Sequence, residues 1–315
     1  MNIFALKTFI PPARLSLEDI LSRRGAHPGE ARTFRHLFGF QAASVLTAEE
    51  SAATSFASLL QQGAGHLNQA EKIDAIILVQ GLPARSKRQH VDLTLIRQRF
   101  DFIAPDAHLI TLNQQNCATL FWGLLMAQRM LEQGKYRCVA LLAGDTLADF
   151  DLAERYVPGC TLIGDAFICA LLRPGGGERR VTGIHCFHHP QFWQGLDGSR
   201  DDIRGFYQAH DALAGQALGK YSPAVRREAW LLPHNINRLS WQTWRRHSEH
   251  AQQHIATDLI GECGHCYTTD PLLLLNDYSP AETGRPALLL SVGLGGWVGS
   301  AMITSDTLAE HQYVQ

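Results

Sequence analysis

The stretch "TLNQQNCATLFWGLL", residues 111–125, places a single cysteine between an apolar strand-like segment and an apolar helix-like segment. A strand that ends at Asn113 and a helix that starts near Cys117 would put the thiol at the positive end of the helix dipole. Free N–H groups at that end stabilise a thiolate, so a cysteine becomes nucleophilic there without a metal. On this stretch alone, a buried core cysteine is the alternative.

Strand-like and helix-like segments alternate on both sides of this junction. In the first half, strands are predicted at 73–80, 108–113, 137–144 and 167–174, and helices at 49–62 and 118–134. After the turn "PGGGERR" (174–180), strands are predicted at 181–187, 229–234, 287–296 and 297–305, and helices at 239–260 and 270–278. Continuous apolar strands that alternate with helices predict an α/β sheet buried on both faces.

The two series of segments follow the same order, which predicts an internal duplication. We place the division near residue 178, so that residues 1–178 form an N-terminal half with the junction cysteine and residues 179–315 form a C-terminal half. Residue identity between the halves is negligible, and the prediction depends on the order of the elements.

Composition excludes several classes of function. Of the 315 residues, 45% are hydrophobic and 18% are charged, as in an ordinary soluble globular protein. The net charge of −2 gives no electrostatic reason to expect nucleic acid or an acidic membrane as a partner. The chain has no segment with the roughly 18 apolar residues that a membrane span needs, and its start lacks the pattern of a signal peptide. We therefore expect a cytoplasmic protein.

A second candidate segment is "LLPHNINRLSW", residues 231–241. His234 follows a buried strand and is flanked by Asn235 and Asn237, which suits an acid/base residue or an oxyanion donor. The alternative is that one asparagine caps the next helix and His234 is incidental.

A third candidate segment is "GECGHCYTTDPLLLL", residues 261–275, where His265 precedes an apolar helix. Cys263 and Cys266 form a CxxC pair, but a closed zinc site needs four ligands and the chain has no second pair. A redox role is disfavoured because no thioredoxin-like strand precedes the motif. We therefore predict no metal site.

A fourth candidate segment is the glycine-rich "SVGLGGWVGSAMI", residues 291–303. It is not a dinucleotide fingerprint, because no helix follows it. Two strands that meet at glycines allow the backbone to approach a ligand, and N–H groups there can face an oxyanion.

Together the four segments resemble the thiolase superfamily, and most closely β-ketoacyl-ACP synthase III. "NCATLFWGLLMAQRMLEQGKYRCVALLAGD" resembles the cysteine helix of that family and the strand after it, and "LIGDAFICALL" (162–172) resembles its Gly-Asp-Gly-Ala-Gly-Ala strand. "LLPHNINRLS" resembles its Pro-His-Gln-Ala-Asn-x-Arg segment, and "SVGLGGWVGSAMI" resembles its glycine-rich ending. The order and spacing hold from about residue 70 onward, with a weaker match at 31–40 ("ARTFRHLFGF").

The resemblance implies a five-layer αβαβα fold built from two duplicated βαβαβαββ halves, usually as a homodimer. It also implies an acyl-CoA or a phosphopantetheinyl acyl-carrier protein as substrate, with no permanently bound cofactor. The residues it assigns are the nucleophile Cys117, the first histidine His234, oxyanion N–H donors at Cys117 and at Gly295 or Gly296, and the supporting Asn235 and Asn237.

The chain departs from the family where "GHCYTT" replaces the motif with the catalytic asparagine, so that His265 takes that position in a Cys-His-His set. Imidazole polarises a thioester carbonyl during decarboxylation, and it also acts as a general base, which an amide cannot. Residues 190–228 also lack the usual helix pattern of the family.

The sequence therefore predicts an acyltransferase of specialised metabolism. Cys117 takes up an acyl group, which then undergoes decarboxylative Claisen condensation with a malonyl-type thioester. Two alternatives stay open: acyl transfer without decarboxylation to an oxygen or nitrogen nucleophile of a small molecule, and an inactive partner subunit of a heterodimeric synthase.

Overall fold

The structure is a computed structural model that describes residues 1–175, 178–247 and 254–305. Its strands are β1 (Asn2–Phe9), β2 (Arg14–Ser16), β3 (Ala42–Ser44), β4 (Ile73–Val79), β5 (Ile103–Leu112), β6 (Val139–Asp145), β7 (Tyr156–Val157), β8 (Thr161–Leu162), β9 (Ala166–Arg173), β10 (Arg180–His188), β11 (Trp230–Pro233), β12 (His254–Ile255), β13 (Ala287–Gly293) and β14 (Trp297–Thr304).

The helices are α1 (Leu17–Arg24), α2 (Pro28–Arg32), α3 (Ala52–Ala64), α4 (Leu93–Arg99), α5 (Thr119–Glu132), α6 (Arg200–Leu218), α7 (Pro223–Glu228), α8 (Arg238–His247), α9 (Ile260–Cys263), α10 (Asp270–Leu274) and α11 (Pro280–Thr283). Two short 3-10 turns matter for the site: Asn116–Ala118 leads into α5, and Tyr267–Thr269 leads into α10. None of the described helices combines the length and the apolar character that crossing a membrane requires.

Ten strands are hydrogen-bonded in the order β12-β11-β13-β14-β10-β1-β9-β6-β4-β5. This order consists of two sets of five strands, which meet where β1 pairs with β10 at Asn2 and Arg180. In the first set β1 is antiparallel to β9, β9 is antiparallel to β6, and β6, β4 and β5 are parallel. In the second set β10, β14, β13, β11 and β12 repeat that pattern.

The repeated pairing confirms the predicted fold class, an α/β protein with two duplicated halves. The sequence predicted this fold class from its continuous apolar strands. In the structure every residue of β6 and of β13 is buried, as expected for a sheet covered on both faces. The boundary predicted at residue 178 lies between β9 and β10, and the last part of the second half, 306–315, lies outside the described residues.

Helix α5 forms the middle of the layered arrangement. It contacts β4 and β6 of the first set and β10 and β14 of the second. Leu120, Phe121 and Leu124 on this helix are fully buried in the core cluster that holds residues of both sets. Helix α3 covers the outer face of the first set and α6 the outer face of the second. The segment with Cys117 at the start of α5 is thereby fixed between the two sets of strands.

Two expectations about helices are wrong. The helix predicted at 239–260 ends at His247 in α8, and β12 and α9 follow it; residues 248–253 lie outside the described part. Within 190–228, where no helix pattern was expected, α6 runs for 19 residues. Its buried face includes one histidine and two alanines, which make the hydrophobic pattern hard to read from the sequence. The buried residues are Phe206, His210, Leu213, Ala214, Ala217 and Leu218.

A substitution at Gly299 on β14 tests how α5 packs against this strand. A Cβ at this position would overlap the ring of Phe121, whose backbone is fixed in the helix. We expect Gly299→Ala to lower the free energy of unfolding by about 1–3 kcal/mol, measured by denaturant unfolding.

Gly205→Ala in α6 is the matched control, because a Cβ at Gly205 has no neighbour within 4 Å. It should raise stability by about 0.5–1 kcal/mol, since alanine is the better helix former. Equal stability of Gly299→Ala and the wild type would contradict the described packing of α5.

Candidate active site

Cys117 lies in the 3-10 turn between β5 and α5, at the strand-to-helix junction expected from the sequence. The residue is 4% exposed. Asn116 before it has a φ of 50°, in the left-handed region that asparagine tolerates better than most residues. The turn therefore places the thiol at the start of α5, between the two sets of strands.

The loop between α9 and α10 brings His265 to this thiol. The His265 N–H donates to Leu162 O at 2.7 Å, and its carbonyl accepts from Gly164 N at 3.0 Å. These two bonds fix the loop against the segment after β8. His265 Nε2 then lies 3.1 Å from Cys117 Sγ, which is hydrogen-bond distance.

The other ring nitrogen of His265 contacts a carboxylate that the sequence analysis did not assign. His265 Nδ1 lies 2.5 Å from Oδ2 of Asp270, the first residue of α10, whose side chain is fully buried. A hydrogen bond on Nδ1 leaves Nε2 as the nitrogen that exchanges a proton with the thiol. Cys117, His265 and Asp270 thus lie in series at hydrogen-bond distance, an arrangement that can serve as nucleophile, base and orienting acid.

Asn235, which the sequence analysis names as a supporting residue, donates two hydrogen bonds to this acid. Its backbone N–H donates to Asp270 Oδ2 at 2.7 Å, and its Nδ2 donates to Oδ1 at 3.2 Å. The N–H of Cys266 also donates to Oδ1, at 2.9 Å. Asn237 lies farther out: its Nδ2 donates to Cys160 O at 2.9 Å, and its Oδ1 accepts from Ser240 N at 2.7 Å at the start of α8.

The protonation of the pair follows from burial and from Asp270. Burial raises the pKa of the Cys117 thiol, and the nearby His265 only partly offsets that. Burial would lower the pKa of His265, but the charges of Cys117 and Asp270 and their hydrogen bonds raise it well above its usual value. A stronger base beside a buried thiol is the arrangement that proton transfer to the imidazole needs.

His234 lies in the same cavity but has different partners. Its Nδ1 accepts from Val292 N at 3.4 Å, and its Nε2 lies 3.4 Å from Nε2 of His210. Burial lowers the pKa of His234 well below its usual value, and nearby His210 lowers it further. His234 is therefore neutral, with the proton on Nε2.

The glycine-rich turn does not contribute as predicted at Gly296. Its N–H donates to Gly293 O at 3.1 Å and closes the turn between β13 and β14, so it is not available to an oxyanion. Leu294 lines the catalytic cavity instead, and its N–H donates to Asn116 Oδ1 at 3.2 Å. The assignment of oxyanion donors to Cys117 and Gly295 stays a prediction.

Asp145 was also absent from the sequence-based assignments. Its carboxylate accepts from Gly81 N and Leu82 N at 2.8–3.0 Å and from Thr268 Oγ1 at 2.8 Å. Burial raises its pKa to about 6 despite these donors. Asp145 thereby joins the loop after β4 to the turn before α10. Its partner in that turn, Thr268, lies three residues after His265.

The CxxC cysteines are buried free thiols. Cys263 Sγ donates to Leu259 O at 3.1 Å, and Cys266 Sγ lies 4.0 Å from Ser44 Oγ. Among the described residues, His, Cys, Asp and Glu form no group that could hold a metal ion.

Solved structures with the same fold were found by comparison. β-Ketoacyl-[acyl carrier protein] synthase III from Thermus thermophilus aligns over 96% of this chain and 99% of its own, at 17% identity and a TM-score of 0.74. Xanthomonas campestris OleA with bound lauric acid and lauroyl-CoA aligns over 96% and 98%, at 17% identity and a TM-score of 0.75. ChlB3, described as an acyltransferase, aligns over 96% and 97%, at 16% identity and a TM-score of 0.75.

These similarities confirm the likeness to the thiolase superfamily at the level of the fold. No protein-family profile and no curated protein matches the sequence. The chemistry of the site must therefore be argued from its own residues.

Asp270→Asn tests the basicity of His265. The rate at which iodoacetamide alkylates Cys117 should fall toward acid as His265 becomes protonated, with a midpoint above the ordinary histidine value of about 6.5. Without the carboxylate the pKa of His265 drops, so the midpoint should move to lower pH, and the plateau rate above the midpoint should fall because His265 is then a weaker base. Peptide mass mapping of alkylated Cys117 across pH measures both.

Asp277→Asn is the control, because this acid follows α10 and is not part of the triad. A profile for Asp270→Asn that equals the wild-type profile would contradict the assigned role of Asp270.

Proposed function

We propose that the protein is a thioester-dependent acyltransferase that transfers its acyl group from Cys117 to a hydroxyl or amine of a small molecule. The observation that carries this proposal is the line formed by Cys117 Sγ, His265 and Asp270, with distances of 3.1 and 2.5 Å. An imidazole oriented by a carboxylate is a general base, and this is the role that the replaced family asparagine cannot play.

The first half-reaction loads the cysteine. His265 Nε2 takes the proton of the Cys117 thiol, and the thiolate attacks the carbonyl carbon of the donor thioester. The tetrahedral oxyanion is held by the backbone N–H of Cys117, the predicted donor there. The bond to the leaving thiol breaks, and that thiolate takes the proton back from His265.

The second half-reaction uses the same base. The acceptor hydroxyl or amine gives its proton to His265 as it attacks the acyl-cysteine, and Asp270 stabilises the imidazolium. The Cys117 thiolate leaves and recovers the proton from His265. Atoms and charge balance without an added acid, metal or cofactor.

The surroundings of His234 favour transfer over condensation. A backbone amide only donates, so Val292 N–H makes His234 Nδ1 an acceptor and places the proton on Nε2. That N–H lies toward His210 Nε2 at 3.4 Å. Decarboxylation needs donors on the carbonyl of the malonyl thioester, and the donor of His234 is already engaged.

Decarboxylative condensation is the second candidate function. It is favoured by the position of His234 and His265, which both line the cavity with Cys117 and have ring centroids 5.7 Å apart. An acyl-CoA or a phosphopantetheinyl acyl-carrier protein is the proposed donor in both cases. The acyl-carrier-protein synthase and the lauroyl-CoA complex of OleA, which share this fold, support that choice.

Further parts of the proposal rest on the sequence: a homodimer, a cytoplasmic location, no resident cofactor and a role in specialised metabolism. An inactive partner subunit is disfavoured, because Cys117, His265 and Asp270 lie within hydrogen-bond distance in the order that nucleophilic catalysis requires.

Labelled acetyl-CoA tests the first half-reaction. The label should appear on the peptide that contains Cys117, and Cys117→Ala should abolish it, as measured by digestion and mass spectrometry.

Cys186→Ala is the matched control, since this half-buried thiol lies on β10 outside the cavity. It should load like the wild type. Labelling of Cys117→Ala at the wild-type level would contradict the proposal.

Carbon dioxide release separates the two candidate reactions. The wild type should release none above background from malonyl-CoA labelled in its free carboxyl group. His210→Leu frees the Nε2–H of His234, so its release should rise to about ten times the background.

Gln208→Ala, at an exposed position of α6, keeps the pair of histidines and should behave like the wild type. Stoichiometric release by the wild type would instead establish condensation.

A further inference from the structure

A second cavity lies close to the catalytic one and plays no part in the steps above. Its volume is about 290 Å³, against about 60 Å³ for the cavity at Cys117. Leu82, Leu147, Phe150 and Ile163 give the larger cavity an apolar part, and Arg85, Gln89 and Glu154 also line it.

The small cavity limits what can be attached to the thiol. A water-sized group needs about 10–15 Å³ of such volume, so 60 Å³ holds about four groups of that size. Part of this room must also receive the thioester carbonyl. An acyl group of more than a few carbons needs additional space, and the second cavity is the adjoining space.

Tyr267 separates the two cavities. Among the described residues, Tyr267 and Val157 line both of them. Tyr267 has the larger side chain, is 8% exposed, and packs with Cys117 and Ile163 in one cluster.

The ring of Tyr267 is held on two sides. Its centroid is 4.8 Å from that of His265 at an interplanar angle of 33°. On another side it packs against Gly81, where a Cβ would lie 3.0 Å from Tyr267 Cδ1. The absence of a side chain at Gly81 therefore makes room for the ring.

The backbone of Tyr267 also fixes its direction. Its φ is 51°, in the left-handed region, which is unfavourable for a residue with a bulky side chain. The next residue, Thr268, is anchored to Asp145 through its hydroxyl at 2.8 Å. The fold thus holds an unfavourable conformation that keeps the ring between the cavities.

We propose that Tyr267 sets the length of the acyl group, so that the enzyme uses acyl groups of about two to four carbons and excludes medium chains from the second cavity. This inference rests on the proposed function and names its substrate class. Tyr267 acts by filling space beside the acyl group and takes no part in proton transfer.

Competition between acetyl-CoA and octanoyl-CoA for Cys117 tests this inference, with intact-mass measurement of both adducts. The wild type should favour acetyl by about tenfold or more. Tyr267→Gly should raise the octanoyl-to-acetyl ratio by about tenfold, because it joins the cavities and glycine adopts a positive φ freely. Tyr267→Phe keeps the ring and should keep the wild-type ratio.

The outcomes are distinguishable. If the wild type loads octanoyl as readily as acetyl, the inference is overturned while the proposed acylation of Cys117 stands. If Cys117 takes up neither group, both are overturned. If Tyr267→Gly does not fold, Tyr267→Leu replaces it with a shorter side chain, and an unchanged ratio in that variant overturns the inference.

Discussion

The site depends on the buried carboxylate of Asp270. Its two oxygens accept from the backbone N–H groups of Cys266 and Asn235 and from the Asn235 side chain, and contact His265 Nδ1. A carboxylate without exposure to water is stable only when such donors surround it. The same bonds join the segment after β11 to the turn before α10, so the acid that orients the base also assembles the site.

Two further buried carboxylates hold the surrounding loops. Asp165 pairs with Arg155 at 2.9 Å through both oxygens and accepts from Leu46 N and Leu147 N. Asp145 connects the loop after β4 to Thr268. The candidate site is built from loops and turns, and a buried carboxylate fixes each of these segments. Leaving such a buried charge without a partner would cost free energy of folding.

The fold and the position of Cys117 were predictable because they have local signals. Uniformly apolar strands such as β6 mark a sheet buried on both faces, and Cys117 lies where strand character changes to helix character. Asp270 has only a weak local signal, an acid at the start of an apolar helix. Its role depends on the loop geometry that turns His265 toward it.

His210 was missed for a related reason. It lies on α6, whose buried face includes alanines and a histidine, so the apolar period is faint. Its contact with His234 joins residues 24 positions apart, on a helix and after a strand, which no local pattern specifies. Gly296 was misassigned because a glycine pattern shows where a backbone turns and leaves open which N–H groups the turn itself uses.

The duplicated halves divide their labour at one point. The turns before α5 and α10 are in contact, and each contains a residue with nearly the same left-handed φ, 50° at Asn116 and 51° at Tyr267. The turn before α5 carries Cys117, and its counterpart before α10 carries the ring that packs beside that cysteine. A substitution at Tyr267 therefore reaches the thiol from the other half of the fold, because the contact between these two turns is where the two sets of strands share one site.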